Sequence, residues 1–456
     1  MTQTPKENKL GTMPLGKLLV HMALPLIISM LVQALYNVVD SIYVSRISES
    51  AVTALSLAFP VQNLMIGFAT GVGVGVNSLF SRSLGERNQE RANRTACNGI
   101  VLALISMVLF MLFGLFLSKP FFASQSTVAE TVNGGASYIM ICTVFSGGIF
   151  LEILNERLLQ GTGRAFYSMI TQTTGAVLNI VLDPIFIFGW FGVPEMGIAG
   201  AAVATVIGQW VAAALAIFFN FRINHDVQFS LSGLKLHKPI VRQILNVGIP
   251  SIVMMGIGSV MVYGMNAILQ GFSETATGVF GIYFKLQSFF LMPLFGLNNA
   301  TISIVAYNYG ARQPKRITGT IKRACAIAFS VMMVGLAIFQ FVPDLVLNIF
   351  NPTPDFLEMG RSALRTISLH FPLAAICIAV GANFQALGNG IYSTITSLCR
   401  QLIVILPAAY LLSLTGNVHN VWWSFPIAEF ASLTLTLIFF RRIYNQKIKP
   451  LYNDAV

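Results

Sequence analysis

The chain has 456 residues, of which 55% are hydrophobic and only 10% are charged, and its mean hydropathy is +0.73. Soluble domains carry roughly 25% charged residues, so this composition excludes a soluble protein and indicates a membrane protein. The formal net charge is +11 at neutral pH. Basic loops that meet anionic lipid headgroups explain this charge, and we expect no nucleic-acid partner.

Apolar runs of about 20 residues, long enough to cross a bilayer, recur along the whole chain. They predict an all-α membrane protein with twelve transmembrane helices. A signal peptide is not expected, because the first apolar run is too long for one. The predicted spans lie at approximately 17–44, 52–80, 95–117, 135–158, 166–190, 197–222, 243–270, 277–303, 320–341, 362–386, 392–414 and 418–441.

The distribution of basic residues predicts the orientation. With the N-terminus inside, all but six of the 28 Lys and Arg residues fall in cytoplasmic segments, which obeys the positive-inside rule. We therefore predict a multi-pass protein of the plasma (inner) membrane with cytoplasmic N- and C-termini. The six exceptions are Arg46, Lys119, Lys285, Arg361, Arg365 and Arg400.

The two halves of the chain repeat each other at a shift of 225 residues without a gap. Two copies of one unit that face each other across a cavity are the usual layout of a secondary transporter. Because each half has an even number of helices, the copies enter from the same side and are related by an axis along the membrane normal. Equivalent pairs include Pro25 and Pro250, Ser48 and Ser273, Gln62 and Gln287, Gly85 and Gly310, and Gly163 and Gly388.

This repeat predicts the domain organisation. We expect an N-terminal six-helix lobe at 1–222, a cytoplasmic linker at 223–241, and a C-terminal six-helix lobe with a cytoplasmic tail at 242–456. The two lobes should be related by pseudo-two-fold symmetry. Pro25 lies inside the first helix, where the missing backbone hydrogen bond favours a bend. We predict a functional bend point at Pro25, with a packing irregularity as the alternative.

Five acidic residues fall inside predicted spans: Asp40, Glu152, Glu156, Asp183 and Glu429. An ionised carboxylate at the centre of a bilayer costs roughly 2.5–3.5 kcal/mol on insertion scales. Such groups persist in membranes where they pair, bind ions or carry protons. These five positions are therefore the first candidates for a functional site.

Asp40 and Asp183 are predicted to lie at equal depth in the outer half of the first lobe, so they can share one cavity. Asn37 and Asn179 each precede one of these acids by about one helical turn. Tyr36 adds a hydroxyl group, and Thr205 adds another at a similar depth. Oxygen ligands suit Na⁺, and a desolvated carboxylate also suits a proton. The alternative is a pair of buried aspartates that are merely hydrogen-bonded by these neighbours.

The second half does not repeat this pair, because Met265 stands at the shifted position of Asp40. We therefore place the ion site in the first lobe alone. Glu429 and Lys285 in the second lobe either pair with each other, line the substrate cavity, or both. Glu152 and Asn37 are further candidates for the wall of that cavity. We identify no partner for Arg400.

Four segments resemble the multidrug and toxic compound extrusion (MATE) family, and the resemblance covers essentially the whole chain. An acidic first lobe without an acid in the seventh helix resembles the DinF-like bacterial and archaeal branch. The resemblance implies a coupling-cation site, possible for Na⁺, at Asp40, Asn179, Asp183 and Thr205, with Tyr36 in its hydrogen-bond network. The segments are Tyr36-Asn37-Val38-Val39-Asp40 after Pro25, Gln160-Gly161-Thr162-Gly163-Arg164, Leu178-Asn179-Ile180-Val181-Leu182-Asp183-Pro184 and Gly200-Ala201-Ala202-Val203-Ala204-Thr205.

Residues and resemblance together predict a secondary-active multidrug efflux antiporter. It would export amphipathic, mostly cationic small molecules in exchange for H⁺ or Na⁺ by alternating access, as a monomer and without a cofactor. The alternative is a flippase for lipid-linked oligosaccharides, or a metabolite exporter, of the same superfamily. Five intramembrane acids against two bases favour cationic substrates. An enzyme is not indicated, because the sequence has no HExxH or GxSxG motif, and we identify no catalytic residue.

Overall fold

The computed structural model describes residues 8–229, 231–350 and 353–453. Within these ranges, ten helices are long and apolar enough to cross a membrane, and there are twelve spans if each of two bent helix pairs is one span. The spans are α1 (Leu15–Ser45), α2 (Glu49–Gly85), α3 (Gln89–Ala123), α4 (Ala129–Val144 and Gly147–Gly161), α5 (Ala165–Phe188), α6 (Ile198–Arg222), α7 (Lys238–Gln270), α8 (Glu274–Gly310), α9 (Pro314–Phe341), α10 (Pro354–Ser368 and Phe371–Ala386), α11 (Gly390–Ser413) and α12 (Val418–Asn453).

These spans confirm the predicted all-α fold of twelve transmembrane helices in two six-helix lobes, α1–α6 and α7–α12. Several helices extend beyond the predicted apolar runs, because their polar ends continue the helix outside the hydrocarbon core. The bent pairs occupy equivalent places in the two lobes. α4 bends by 46° and α10 by 48°.

The 225-residue repeat is visible in the backbone itself. Ser48 and Ser273 begin α2 and α8, and each hydroxyl accepts a hydrogen bond of 3.1 Å from the backbone N–H three residues later. Arg87 and Arg312 share an unusual left-handed conformation, with φ of 56° and 53°. Non-glycine residues rarely adopt that conformation, so its recurrence supports two copies of one structural unit.

The two lobes meet where glycines let the backbones touch. A Cβ atom at Gly85 in α2 would overlap with the carbonyl oxygen of Tyr307 in α8. The symmetry-related Cβ atom at Gly310 would overlap with the carbonyl oxygen of Arg82. Arg82 and Tyr307 are themselves equivalent in the repeat, so the pseudo-two-fold axis passes through this crossing.

A second pair of glycine contacts lies deeper in the bundle. A Cβ atom at Gly71 in α2 would overlap with Ile252 in α7, and one at Gly296 in α8 would overlap with Ile27 in α1. Again the two contacts are equivalent in the repeat. Small residues allow such close approach of helices in membranes. The sequence also favours this packing role over a phosphate-binding loop, because the glycines at 67, 71, 73 and 75 lie inside an apolar span and no Lys-Ser/Thr pair follows them.

The connection between the lobes defines one end of the bundle, which we call the linker side. Asn98 in α3 donates to the carbonyl oxygen of Gly233 at 3.2 Å and accepts from the backbone N–H of His237 at 2.9 Å. Arg164 at the start of α5 forms an ion pair of 2.6 Å with Asp226. The linker is therefore held against the first lobe.

A short helix, Lys9–Thr12, lies across the linker side and bridges the two lobes. Asn308 and Arg316 of the second lobe donate to the carbonyl oxygen of Leu10 at 3.0 and 2.9 Å. Asn8 donates to the carbonyl oxygen of Thr162 in the first lobe at 3.3 Å. The segment before α1 thus adds polar contacts to the junction.

Features that favour bending occur in α1 and α11, among other helices. α1 runs from Leu15 to Ser45 and continues through Pro25 without a break. In α11, a π-helical stretch at Cys399–Val404 precedes Pro407. A proline cannot donate a backbone hydrogen bond, and π-bulges are a common local response to such a defect. A bend of α1 at Pro25 during the transport cycle stays a prediction of the sequence.

The glycine crossing makes a testable prediction for stability. Gly85→Ala should lower the apparent melting temperature of the purified protein, because overpacking of this kind costs about 1–3 kcal/mol. Gly281→Ala, in the neighbouring helix α8, is the matched control, since a Cβ atom there meets nothing within 4 Å. The control should be neutral or slightly stabilising, as alanine is the better helix former. Equal melting temperatures for Gly85→Ala and Gly281→Ala would contradict the close crossing.

Candidate functional site: a cluster of buried oxygen atoms in the first lobe

The predicted acids Asp40 and Asp183 come together in the half of the first lobe that lies away from the linker side. Each lies five residues before the end of its helix, in α1 and α5 respectively. Asp183 is fully buried and Asp40 is 9% exposed. The two carboxylates lie close enough to repel each other electrostatically. The prediction that both reach the same depth agrees with this arrangement.

Asn179 and Thr205 complete the cluster. The Asn179 amide nitrogen donates to the Asp183 carboxylate at 3.3 Å and to the Thr205 hydroxyl oxygen in α6 at 3.1 Å. Asn179 and Asp183 lie four residues apart on α5, so they share one face of the helix. The cluster thus combines two carboxylates, an amide and a hydroxyl from three helices.

Three oxygen atoms of this cluster are buried without a hydrogen-bond partner. They are Oδ1 of Asp40, Oδ1 of Asn179 and Oδ2 of Asp183. A buried polar atom without a partner costs about 1–3 kcal/mol, and more when it is charged. All three atoms are acceptors, so one bound cation could contact all of them, and a proton on either carboxylate would add one donor to the cluster. Carboxylate, amide and hydroxyl oxygens are the ligands that hard cations prefer.

Further polar side chains lie near the cluster. Tyr36 in α1 is partly buried and lies near Asp40, Asp183 and Glu152. Next to it, the Gln62 amide nitrogen donates to the hydroxyl of Tyr138 at 2.8 Å. Proximity to both acids is consistent with the predicted role of Tyr36. Composition and spacing did not single out Tyr138 and Gln62, although Gln62 is one of the positions that the repeat preserves.

The candidate cavity residues Asn37 and Glu152 lie in different environments. Asn37 is exposed although Asp40 is buried, so the structure does not bring it into the cluster. Glu152 is partly buried and lies near Glu156, deeper in the lobe. Glu156 accepts a hydrogen bond of 2.8 Å from the Thr171 hydroxyl. Glu152 therefore connects the surroundings of Tyr36 with a buried polar layer closer to the linker side.

In the second lobe, Glu429 has a partner that the sequence did not identify. The carboxylate in α12 is 2% exposed, and Arg400 in the π-helical part of α11 contacts it at 3.4 Å. Lys285 is exposed. Glu429 therefore pairs with Arg400, a partner that was not among the alternatives considered for it, rather than with Lys285. The buried Tyr283 hydroxyl lies near this pair and has no hydrogen-bond partner.

The first-lobe cluster does not resemble a site for a transition metal. No group of three or more His, Cys, Asp or Glu side chains that could hold a metal ion occurs in the part of the chain that the structure describes. Two carboxylates with an amide and a hydroxyl instead suit a weakly held monovalent cation or a proton. Such a cation would be cargo that the protein releases again.

Two lobes with a shared crossing on one side and an acidic cluster in one lobe define a membrane transporter rather than an enzyme. The MatE family model matches residues 25–185 and 250–411, once in each lobe and at the spacing of the internal repeat. The chain therefore belongs to the MATE family of membrane transporters. This confirms the family resemblance of the sequence.

Individual relatives support the same assignment. The chain is 27% identical over 424 residues to the multidrug export protein MepA of Staphylococcus aureus (strain MSSA476), with 91% of each chain covered. It is similar to a solved outward-facing multidrug resistance MATE transporter, with a TM-score of 0.90, 28% identity, and 99% and 100% of the chains covered. A transporter from Pyrococcus furiosus, described as having a binding pocket of reverse polarity, gives a TM-score of 0.89 at 27% identity, with 99% of each chain covered.

The hydrogen bond between Asn179 and Thr205 provides a test of the cluster. Thr205→Val keeps the shape of the side chain but removes the oxygen atom that accepts this hydrogen bond. A cation that binds only the native state stabilises it by about 2.7 kcal/mol at a hundred times its Kd. We expect Thr205→Val to reduce the dependence of the melting temperature on Na⁺ concentration or on pH.

Thr277→Val is the control for this substitution. The Thr277 hydroxyl is also buried, but it lies in α8 and has no hydrogen-bond partner. This variant should respond to Na⁺ and pH like the unmodified protein. If Thr205→Val and Thr277→Val respond alike, Thr205 has no part in cation binding.

Proposed function

We propose that the protein is a multidrug efflux antiporter that exports amphipathic, mostly cationic compounds in exchange for H⁺ or Na⁺. The observation that carries this proposal is the set of three buried oxygen acceptors on Asp40, Asn179 and Asp183 without hydrogen-bond donors. A single metal cation could contact all three oxygen atoms, and a proton bound to one carboxylate would donate to a second acceptor. Because two carboxylates lie close together, occupancy by a cation also relieves their mutual repulsion.

The arrangement of the lobes supports alternating access. The lobes are joined by hydrogen bonds in the linker-side half, such as those between Asn77 in α2 and Ser303 in α8 at 3.0 and 3.1 Å. The predicted charge orientation places this side in the cytoplasm. The described state is then the outward-facing one, as in the MATE relative whose structure bears that description.

In the proposed cycle, the coupling cation enters from outside and neutralises one of the two negative charges of Asp40 and Asp183. Neutralisation changes which conformation of α1 is favoured, and Pro25 is where this helix can bend. The substrate leaves, the lobes rock to open inward, and the cation is released into the cytoplasm. Each elementary charge that moves across 100 mV contributes about 2.3 kcal/mol. The membrane potential can therefore drive export against almost two decades of concentration when one net charge enters per cycle, whereas a one-for-one exchange with a monovalent cationic substrate is driven by the concentration gradient of the coupling ion.

Charge supports cationic substrates. The first lobe carries Asp40, Asp183 and Glu152 around one space, and Glu429 in the second lobe is paired by Arg400. The surplus of negative charge therefore lies in the first lobe. The reverse polarity described for the binding pocket of the Pyrococcus furiosus relative indicates that pocket polarity varies among proteins of this fold. For this chain, the exposed Lys285 adds a positive charge on the opposite lobe.

The test is ethidium transport in proteoliposomes under an imposed H⁺ or Na⁺ gradient. The asparagine in Asp183→Asn is nearly isosteric with aspartate, but its neutral amide cannot carry a negative charge. We expect one of the two gradients to drive transport by the unmodified protein. Transport by Asp183→Asn should fall by a factor of ten or more, the effect of losing about 1.4 kcal/mol of coupling or more.

Asp344→Asn serves as the control, because Asp344 lies between α9 and α10 and forms an exposed ion pair with Arg361 in the first part of α10. This variant should transport like the unmodified protein. Full ethidium transport by Asp183→Asn would remove the cluster from the coupling mechanism. No transport by folded, unmodified protein under either gradient would instead favour a lipid-linked or metabolite substrate.

A further inference from the structure

A cavity of about 170 Å³ lies between the two lobes near the linker side. This volume is several times the roughly 30 Å³ that one water molecule occupies in the liquid. Residues of α2 and α3 line it from the first lobe, and residues of α7, α10 and α12 line it from the second. The cavity therefore exists only while the lobes are together on this side. It is separate from the acidic cluster, which lies in the other half of the bundle.

Three cationic side chains converge on this cavity: Arg82 from α2, Arg91 from α3 and Lys447 from α12. Lys447 lies close enough to Arg82 for the two charges to repel each other. Both cations also lie over the ring of Tyr309, at 4.9 Å for the Arg82 guanidinium carbon and 6.0 Å for the Lys447 ammonium. One aromatic ring thus helps to hold two cations side by side.

Among the residues that the structure describes, the carboxylate of Glu86 offsets part of this charge. It accepts hydrogen bonds from Arg82 Nε at 2.9 Å and from Arg91 at 2.6 Å. Lys447 instead donates to the backbone carbonyl oxygen of Leu387, which carries no net charge. Three cations against one carboxylate leave a formal surplus of two positive charges at the cavity.

The donors at this cavity are suited to an oxyanion. A lysine ammonium has three N–H donors and a guanidinium has five, which is more than the contacts of Lys447 and Arg82 use. Guanidinium groups match the geometry of phosphate oxygens in particular. Around the cations, Gln243 and Asn246 of α7 add neutral polar groups. Gln243 is already fixed by a hydrogen bond of 2.6 Å from Arg91.

We propose that this cavity is a binding site for a phosphate-bearing anion, which holds the two lobes together at the linker side. The ligand chemistry is a phosphate group with one or two negative charges, as in the headgroup of an anionic phospholipid or in a free phosphate compound. Basic pockets between helices near a membrane surface recognise lipid headgroups in the same way. Because both lobes supply the donors, the bound anion stabilises the state with the linker side closed.

The test measures the melting temperature of the purified full-length protein in two arms. The first arm compares inorganic phosphate with chloride at equal ionic strength in detergent. The second compares nanodiscs that contain phosphatidylglycerol with nanodiscs of phosphatidylcholine alone. We expect an increase of about 2 °C or more in at least one arm. Stabilisation in the lipid arm alone identifies a headgroup, and stabilisation by inorganic phosphate shows that the phosphate group suffices.

Variants distinguish anion binding at this cavity from a general effect of charge on the melting temperature. The double variant Arg82→Gln and Lys447→Gln should lose the stabilisation, while Lys447→Arg keeps the charge and should retain it. Lys322→Gln removes an exposed lysine of α9 that does not line the cavity, and it should behave like the unmodified protein. The measurement uses neither a drug nor an ion gradient, so its result does not depend on the proposed antiport.

Two results would overturn the proposal. One is the absence of stabilisation of the unmodified protein in both arms. The other is stabilisation that persists at full size in the double variant. If the double variant does not fold, the comparison of Lys447→Met with Lys447→Arg decides, because a bound phosphate should distinguish the two.

Discussion

The close crossing of α2 and α8 is the contact on which the rest of the structure depends. Gly85 and Gly310 let the backbones of the two lobes touch, and the positions of Arg82 and Tyr307 make this contact symmetric. A side chain at either glycine would separate the lobes. The hydrogen bonds between Asn77 and Ser303, the linker-side cavity and the bridge by the N-terminal helix all require the lobes to be this close. The opposite half of the bundle is then where the lobes can separate to expose a substrate.

The acidic cluster differs from the glycine crossing in its symmetry. The crossing is symmetric between lobes, whereas Asp40 and Asp183 occur only in the first lobe, with Met265 buried at the position equivalent to Asp40. An ion that binds at these acids would change the charge of the first lobe and leave that of the second lobe as it is. Asymmetry of this kind lets one chemical event change how two similar halves fit together.

Much of this arrangement could be predicted from the sequence. Helix number and the repeat follow from apolar runs and a constant shift, and the depth of Asp40 and Asp183 follows from counting residues from the ends of their spans. A role of the α2 glycines in close helix packing followed from their apolar surroundings. Each of these inferences uses only distances along one helix, which the rise per residue fixes.

Other contacts could not be predicted, because they depend on how helices rotate about their axes. The partner of Arg400 is an example, since the π-helical stretch at Cys399–Val404 shifts the register of α11 and turns Arg400 toward Glu429. Asn37 lies only three residues before Asp40, yet α1 buries one and exposes the other. The linker-side cavity is assembled from five helices of both lobes, and no local pattern in the sequence places Lys447 beside Arg82.

The central claim is that one cation site in the first lobe competes energetically with substrate. If the coupling ion weakens the binding of substrate, thermodynamic linkage requires that substrate weakens the binding of the ion by the same factor. The most direct measurement is therefore the Kd of ethidium for the purified protein at increasing Na⁺ and at decreasing pH. We predict that one of the two ions raises this Kd, and that the dependence disappears in Asp183→Asn. A Kd that is independent of both ions in the unmodified protein would contradict the account.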